Sequence, residues 1–164
     1  MSIRILALLS VLVLGFAACG GDEEDPEPKQ QNNGPHAWCT EPPAPSSPVT
    51  ETQMTTEYPE ATGGTIVDGT YELTRFEIYP PDSSDDSVRA RLLQFDKGTI
   101  ASVMKDGNST TVIGGTYTTS GNTITVQVTC PQKTQFTLKY SVSGDEFWFQ
   151  PPDENNVQVY VRQP

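Results

Sequence analysis

The sequence predicts an all-β domain over residues 65–164, built as an eight-stranded antiparallel up-and-down barrel. Three observations support this prediction. Segments rich in Thr, Val, Ile, Tyr and Phe alternate with turns rich in Gly, Asn and Asp. The turns recur at intervals of about eight to twelve residues, and no segment keeps a helical period. This pattern is typical of short strands that are joined in sequence.

The eight predicted strands are each bounded by turn or loop residues. In the first strand the apolar positions shift from Tyr71 and Leu73 to Phe76 and Ile78, which predicts a β-bulge near Thr74. A serine-rich acidic loop follows that strand, and Asp-Gly or Ser-Gly turns follow several of the others. The predicted strands span residues 69–79, 88–95, 99–104, 110–117, 123–129, 136–142, 146–150 and 157–162.

The alternation is clearest in the fifth and sixth strands. Ile124, Val126 and Val128 face one side, whereas threonines and Gln127 face the other. The next strand repeats the pattern with Phe136, Leu138, Tyr140 and Val142. Each of these strands therefore has one face for a core and one face for solvent.

Short connections make sequential strands antiparallel neighbours, and eight such strands close into a barrel that leaves no exposed edge. With Gly69-Thr-Tyr-Glu-Leu-Thr at its start, the domain resembles the small lipocalin-like barrels of bacterial lipoproteins. The alternative fold is a two-sheet β-sandwich.

Residues 1–18 have the pattern of a secretory signal peptide. Arg4 precedes an apolar run that is shorter than the about 20 residues needed to span a bilayer. The residues Phe16-Ala17-Ala18 before Cys19 resemble the cleavage site of bacterial lipoproteins. That resemblance implies that Cys19 is lipidated, with palmitate among its acyl chains, and becomes the N-terminus. It also implies a place in the cell envelope, at the outer membrane because Gly20 follows the cysteine.

Residues 19–64 are predicted to be an acidic, proline-rich, disordered tether. The stretch opens with Gly-Gly-Asp-Glu-Glu-Asp-Pro-Glu-Pro and has few apolar side chains to bury, so it cannot offset the entropy of ordering. Prolines make such a chain semi-extended. We expect this tether to hold the domain away from the membrane to which Cys19 is anchored.

The whole chain has a formal net charge of −11. A surface this acidic repels the phosphates of nucleic acids and of anionic lipids. The sequence therefore predicts no nucleic-acid partner, and it predicts that membrane contact occurs through the acyl chains on Cys19.

Two cysteines remain once Cys19 is assigned to lipidation. Thiols in an oxidising compartment usually pair, so Cys39 and Cys130 are predicted to form a disulfide. Such a bond would fix the end of the tether to the domain. Trp38 would then pack on the mouth or the outer wall of the barrel.

The sequence predicts a protein that is not an enzyme and has no cofactor or metal. Its one histidine, His36, lies in the predicted tether, so no Ser–His or Cys–His pair is expected. No phosphate-binding or dinucleotide-binding glycine motif is present. Acidic residues that could act as a catalytic pair occupy strand positions that face solvent.

The predicted function is that of a non-enzymatic module that binds a small apolar ligand or lipid. The candidate ligand-binding residues are Trp148, Tyr160 and Tyr140, with Trp148 and Tyr160 placed on an outer face or at a rim. Small inward residues would leave room for a ligand, and the candidates are Gly114, Gly115 and Ala101. The alternative is a structural or protein-interaction role in the envelope, with a barrel filled by its own side chains.

Overall fold

The computed structural model describes residues 37–40, 42–45 and 47–164, all within one compact unit, Asn32–Pro164. The predicted signal peptide (1–18) and the predicted lipidation site Cys19 lie outside the described residues. The part of the chain that is described contains no helix long and apolar enough to cross a membrane. It forms a short 3-10 helix at Ala37–Cys39 and strands β1 (Val49–Gln53), β2 (Gly69–Ile78), β3 (Val88–Asp96), β4 (Thr99–Asp106), β5 (Ser109–Ser120), β6 (Thr123–Cys130), β7 (Thr134–Ser143), β8 (Glu146–Gln150) and β9 (Asn156–Arg162).

Strands β2 to β9 form the predicted eight-stranded up-and-down barrel. Each strand pairs antiparallel with the next in sequence, and β9 returns to pair with β2 through registers such as Leu73 with Tyr160. The ring of hydrogen bonds is therefore continuous, as in a barrel and unlike two separate sheets. The predicted β-bulge is also confirmed, because the register between β2 and β9 shifts between Leu73 and Arg75.

The structure differs from the prediction in part of the presumed tether, where Val49–Gln53 forms strand β1. Its residue Glu51 pairs with Phe76 of β2 in parallel, and its residue Val49 pairs with Arg89 of β3 in antiparallel fashion. Strands β2 and β3 pair with each other only as far as Glu72 and Leu92. Strand β1 therefore fills the gap that opens where β2 and β3 separate beyond the bulge.

One end of the barrel is closed by aromatic side chains, and we call it the closed end. Phe95 lies at its centre, with ring centroids 5.5 Å from Tyr71, 5.1 Å from Tyr117 and 5.2 Å from Phe147. Residues 64–67 cover this end, because their carbonyls accept hydrogen bonds from buried tyrosines. The Tyr71 hydroxyl donates to Val67 over 2.7 Å, and the Tyr140 hydroxyl donates to Gly64 over 2.8 Å.

The N-terminal 3-10 helix lies against the outer wall of the barrel. The predicted disulfide between Cys39 and Cys130 is confirmed, with a Cα–Cα distance of 6.2 Å. Beside it, Trp38 is buried in a cluster with Leu92, Ala101 and Val103. The predicted packing of Trp38 on the outer wall is therefore correct.

A second segment covers the outer wall over β8 and β9. Tyr58 stacks edge-to-face on Tyr79, with ring centroids 4.9 Å apart, and both lie in a cluster around Val157 and Val159. The Tyr58 hydroxyl donates hydrogen bonds to the main-chain oxygens of Glu154 (3.0 Å) and Asn156 (2.6 Å). Residues of the predicted tether thus bury an outer face that would otherwise expose valines.

Candidate functional site

The barrel encloses a cavity of about 340 Å³. It is formed by side chains that point inward at alternate positions of β3 to β9, as the period of a strand requires. Its walls are mainly Ile, Leu, Val, Phe and Met. The lining residues are Arg91, Leu93, Phe95, Ile100, Ser102, Met104, Ile113, Ile124, Val126, Phe136, Leu138, Phe147, Phe149, Pro151, Glu154 and Gln158.

The cavity runs from the closed end toward the loop between β8 and β9. Phe95 and Phe147, which belong to the aromatic cluster of the closed end, form its floor. Pro151 and Glu154 of the β8–β9 loop border its other end, which we call the mouth. Apolar cavities of about 300–1,000 Å³ with a few placed polar groups are typical of small-molecule sites.

Four polar side chains interrupt the apolar lining: Glu154 at the mouth, and three buried residues, Arg91, Gln158 and Ser102. Arg91 donates a hydrogen bond from Nη1 to Oε1 of Gln158 over 2.6 Å, and the Tyr160 hydroxyl donates to the same oxygen over 3.0 Å. The third is Ser102, which lies on β4 between Ile100 and Met104, two other lining positions. Arg91, Gln158 and Ser102 are all buried. We refer to these three residues as the polar patch of the cavity.

A cluster of ion pairs adjoins the polar patch through Arg91, which belongs to both. Arg89 pairs with Glu51 at 2.7 Å and with Asp106 at 3.4 Å, and Arg91 pairs with Asp106 at 3.5 Å. Both guanidinium groups also lie over the ring of Phe76, 5.4 and 5.1 Å from its centroid. The neighbouring carboxylates raise the pKa of Arg89 against the opposing effect of its burial. Two cations thus face two carboxylates, so the cluster carries no excess positive charge.

The predicted ligand-binding residues lie around the cavity and not in its lining. Tyr140 packs at the closed end, where its hydroxyl bonds to Gly64. Tyr160 is fully enclosed in the core behind Gln158, and burial raises the pKa of its phenol. Trp148 packs on the outer wall against Val157 and Val159.

The strand register corrects the expectation that Trp148 and Tyr160 share an outer face. Phe147 pairs with Tyr160, and Trp148 pairs with Val159, so the two aromatic residues point to opposite sides of the wall. The tyrosine points inward because the valines of β9 are buried on the outside under Tyr58 and Tyr79. In β9 three valines alternate with Gln158 and Tyr160, so the sequence alone favours the valine face as the inner one.

The expectation that small residues make room inside the barrel is also wrong. Ala101 lies in the outer cluster around Trp38. A Cβ atom on Gly115 would clash with the carbonyl group of Gln127 on the neighbouring strand, so this glycine permits the close approach of β5 and β6. Neither Gly114 nor Gly115 lines the cavity. The space comes instead from medium-sized side chains that do not meet across the barrel.

Sequence reasoning missed Arg91, Gln158 and Ser102 as residues of the site. Each lies two residues from an apolar or aromatic residue on the same face of its strand, namely Leu93, Ile100 and Tyr160, and that alternation was the available signal. No group of three or more His, Cys, Asp and Glu residues within ranges 37–40, 42–45 and 47–164 is arranged to hold a metal ion.

The match to a family model agrees with this architecture. The family model of the Lipocalin-like domain matches residues 67–149, just over half of the chain. A search of curated proteins finds no match. Similar solved structures include a lipocalin-like protein from Bacteroides uniformis ATCC 8492 and an uncharacterized protein from Bacteroides eggerthii DSM 20697, both 13% identical. The Bacteroides uniformis structure has a TM-score of 0.44, and the match covers 58% of this chain and 97% of that structure. The Bacteroides eggerthii structure has a TM-score of 0.43, and the match covers 58% of this chain and 98% of that structure. The chain belongs to the family of lipocalin-like domains.

Proposed function

We propose that this protein is a non-enzymatic binding module that holds a small apolar ligand inside its barrel. The observation that carries the proposal is the cavity of about 340 Å³, which has an aromatic floor and a mouth beside the β8–β9 loop. Transfer of apolar ligand surface from water contributes about 25 cal/mol per Å². The cavity favours this function over the alternative of a filled barrel that acts only through its outer surface.

The proposal includes an anchor. Lipidation of Cys19 would attach the module to the cell envelope, at the outer membrane, and residues 20–36 would connect the anchor to the 3-10 helix. More than one acyl chain is needed for stable attachment, since a single chain binds only marginally. The module would then bind its ligand close to the membrane surface without inserting into it.

Native mass spectrometry tests the binding function. Residues 20–164, exported to an oxidising compartment behind a cleavable signal, retain the whole compact unit Asn32–Pro164. The expected result is a co-purified adduct, or uptake of an added ten-carbon amphiphile at one molecule per chain, that is lost on denaturation. A bare chain that takes up no such probe at saturating concentration contradicts the proposal and favours the protein-interaction role.

A further inference from the structure

The polar patch defines what kind of apolar ligand the cavity accepts, and this inference rests on the proposed binding function. We propose that the ligand is an uncharged amphiphile whose polar group accepts hydrogen bonds at the polar patch, with Ser102 as a donor, while its apolar tail reaches the closed end. Ketones, esters and alcohols belong to this class, whereas free fatty acids do not.

Ser102 offers the cavity a hydrogen-bond donor. This residue is only 3% exposed, and it lines the cavity. No hydrogen bond joins its hydroxyl to another residue of the described part of the chain, and the hydroxyl oxygen is not fully enclosed, so it borders the open space of the cavity. Such a hydroxyl can bond to water while the cavity is empty, and a ligand that displaces this water must supply an acceptor in its place. A bound ligand with an acceptor oxygen would satisfy this group.

The polar and apolar parts of the lining give a bound ligand its direction. Arg91 and Gln158 are joined by the 2.6 Å hydrogen bond. In the pairing of β3 with β4, Arg91 is opposite Met104, which is two residues from Ser102 on the same inner face of β4. The polar patch therefore lies on one wall toward the mouth, whereas the far part of the cavity is lined by aromatic and aliphatic residues. A tail would bury itself against Phe95 and Phe147, and the polar group would stay near the mouth.

The charges around the polar patch are already balanced. The guanidinium groups of Arg89 and Arg91 are matched by the carboxylates of Glu51 and Asp106. Glu154 adds another carboxylate at the mouth, where it accepts a hydrogen bond from Asn156. A ligand carboxylate in this place would face acidic groups without an uncompensated cation, and a buried charge without a partner is strongly disfavoured. The arrangement selects a neutral polar group.

Isothermal titration calorimetry at pH 8 with two ten-carbon probes tests the inference on residues 20–164. Decan-2-one presents one neutral acceptor, and decanoate presents an ionised carboxylate on a chain of the same length. We expect the ketone to bind at least about tenfold more tightly than the acid.

The substitution Ser102→Ala should weaken binding of the ketone by about 3- to 10-fold, because one neutral hydrogen bond is lost. Ser102→Thr, which keeps a hydroxyl, should restore much of the affinity. Ser143→Ala, at an exposed position of β7, is the matched control and should leave the affinity unchanged.

The outcomes separate the two proposals. Decanoate binding as tightly as the ketone, or an unchanged ketone affinity in Ser102→Ala, overturns the assignment of the polar group while leaving the binding function in place. Failure of both probes to bind at saturation contradicts the binding function itself. The comparison of decan-2-one with decanoate uses the wild-type chain, so it tests the inference even where a substitution at Ser102 affects folding.

Discussion

Glu51 of strand β1 accepts two hydrogen bonds from Arg89 of strand β3, at 2.7 Å from Nη2 and 3.0 Å from Nε, both on its oxygen Oε1. The carboxylate is almost fully buried, with a side chain 4% exposed, whereas the arginine side chain is 24% exposed. This ion pair fixes β1 in the gap between β2 and β3. It also neutralises one of the two cations of the ion-pair cluster.

Substitution of Glu51 by glutamine should destabilise the fold by about 1–3 kcal/mol, because the amide keeps the shape but leaves part of the charge of Arg89 without a partner. Asp106 still compensates that charge in part, which limits the effect. The measurement is the free energy of unfolding in urea. Glu57→Gln, at an exposed position of the same segment, is the control. Equal stability of the two variants would contradict a structural role for the pair.

The barrel was predictable from the sequence because its strands obey a simple rule. Alternating residues such as Ile124, Val126 and Val128 define an inner face, and the phase shift after Leu73 indicates the bulge. Gly-containing turns then set the antiparallel order. These signals are local, so they can be interpreted without knowing the partner strand.

Strand β1 and the cavity depend on contacts that are distant in sequence. Val49 is the only aliphatic residue of β1, and the strand is held by backbone pairing and by Glu51. The cavity depends on which inward side chains fail to meet across the barrel, which the alternation of a single strand does not reveal. Tyr160 was expected on an outer face or at a rim because valines alternate with it in β9, and the outer cover from Tyr58 was not predicted.

Removal of the disulfide should lower the stability substantially. Cys39 and Cys130 are separated by 91 residues, and closing a loop of that size restricts the unfolded chain by about 4–5 kcal/mol in the chain-entropy model. The double substitution Cys39→Ser with Cys130→Ser should therefore lower the urea midpoint strongly. Wild type under reducing conditions should match the double variant, and a reductant should leave the double variant unchanged. A reductant-sensitive double variant would contradict this explanation.

Alkaline pH should destabilise the barrel through its buried tyrosines. Burial raises the pKa of Tyr58 to about 12 from 10.0, with Glu154 and Asp82 adding to the effect. Because the folded pKa exceeds the unfolded value, this contribution to stability is complete below pH 10 and is lost as the pH rises through about 12. Burial also raises the pKa values of Tyr71, Tyr79, Tyr117 and Tyr160.

The variant Tyr58→Phe isolates this effect. It should be less stable than wild type at pH 8, by about 1 kcal/mol, because the hydrogen bonds to Glu154 and Asn156 are lost. Its stability should then fall less steeply between pH 10 and 12, because it has one ionisable phenol fewer. Parallel pH profiles of the two proteins, measured by urea unfolding, would show that Tyr58 does not titrate in this range.

Lipidation of Cys19 remains a prediction with a direct test. The full-length chain, expressed in a diderm bacterium that is fed labelled palmitate, should incorporate the label and fractionate with the outer membrane. Cys19→Ala should lose both properties, whereas Cys130→Ser should keep both because that thiol is assigned to the disulfide. Label on the Cys19→Ala protein would place the acyl chain elsewhere and contradict the proposed anchor.

Filling the cavity should abolish binding while leaving the fold intact. Ile113 lines the cavity on β5, at a partly buried position opposite Ser102 of β4. Ile113→Trp would place an indole ring in space that the native side chains leave empty, so the expected change in stability is small, within about 1–3 kcal/mol. Binding of decan-2-one, measured by calorimetry, should fall below detection.

The matched control for this prediction is Thr118→Trp, at an exposed position of the same strand. It introduces the same side chain outside the barrel and should leave the affinity unchanged. Loss of binding in both variants would indicate a general effect of tryptophan on β5. Retained binding in Ile113→Trp, with unchanged far-ultraviolet circular dichroism, would place the ligand outside the barrel. The outer wall around Trp148 would then be the next surface to test, because that residue packs there and not in the cavity.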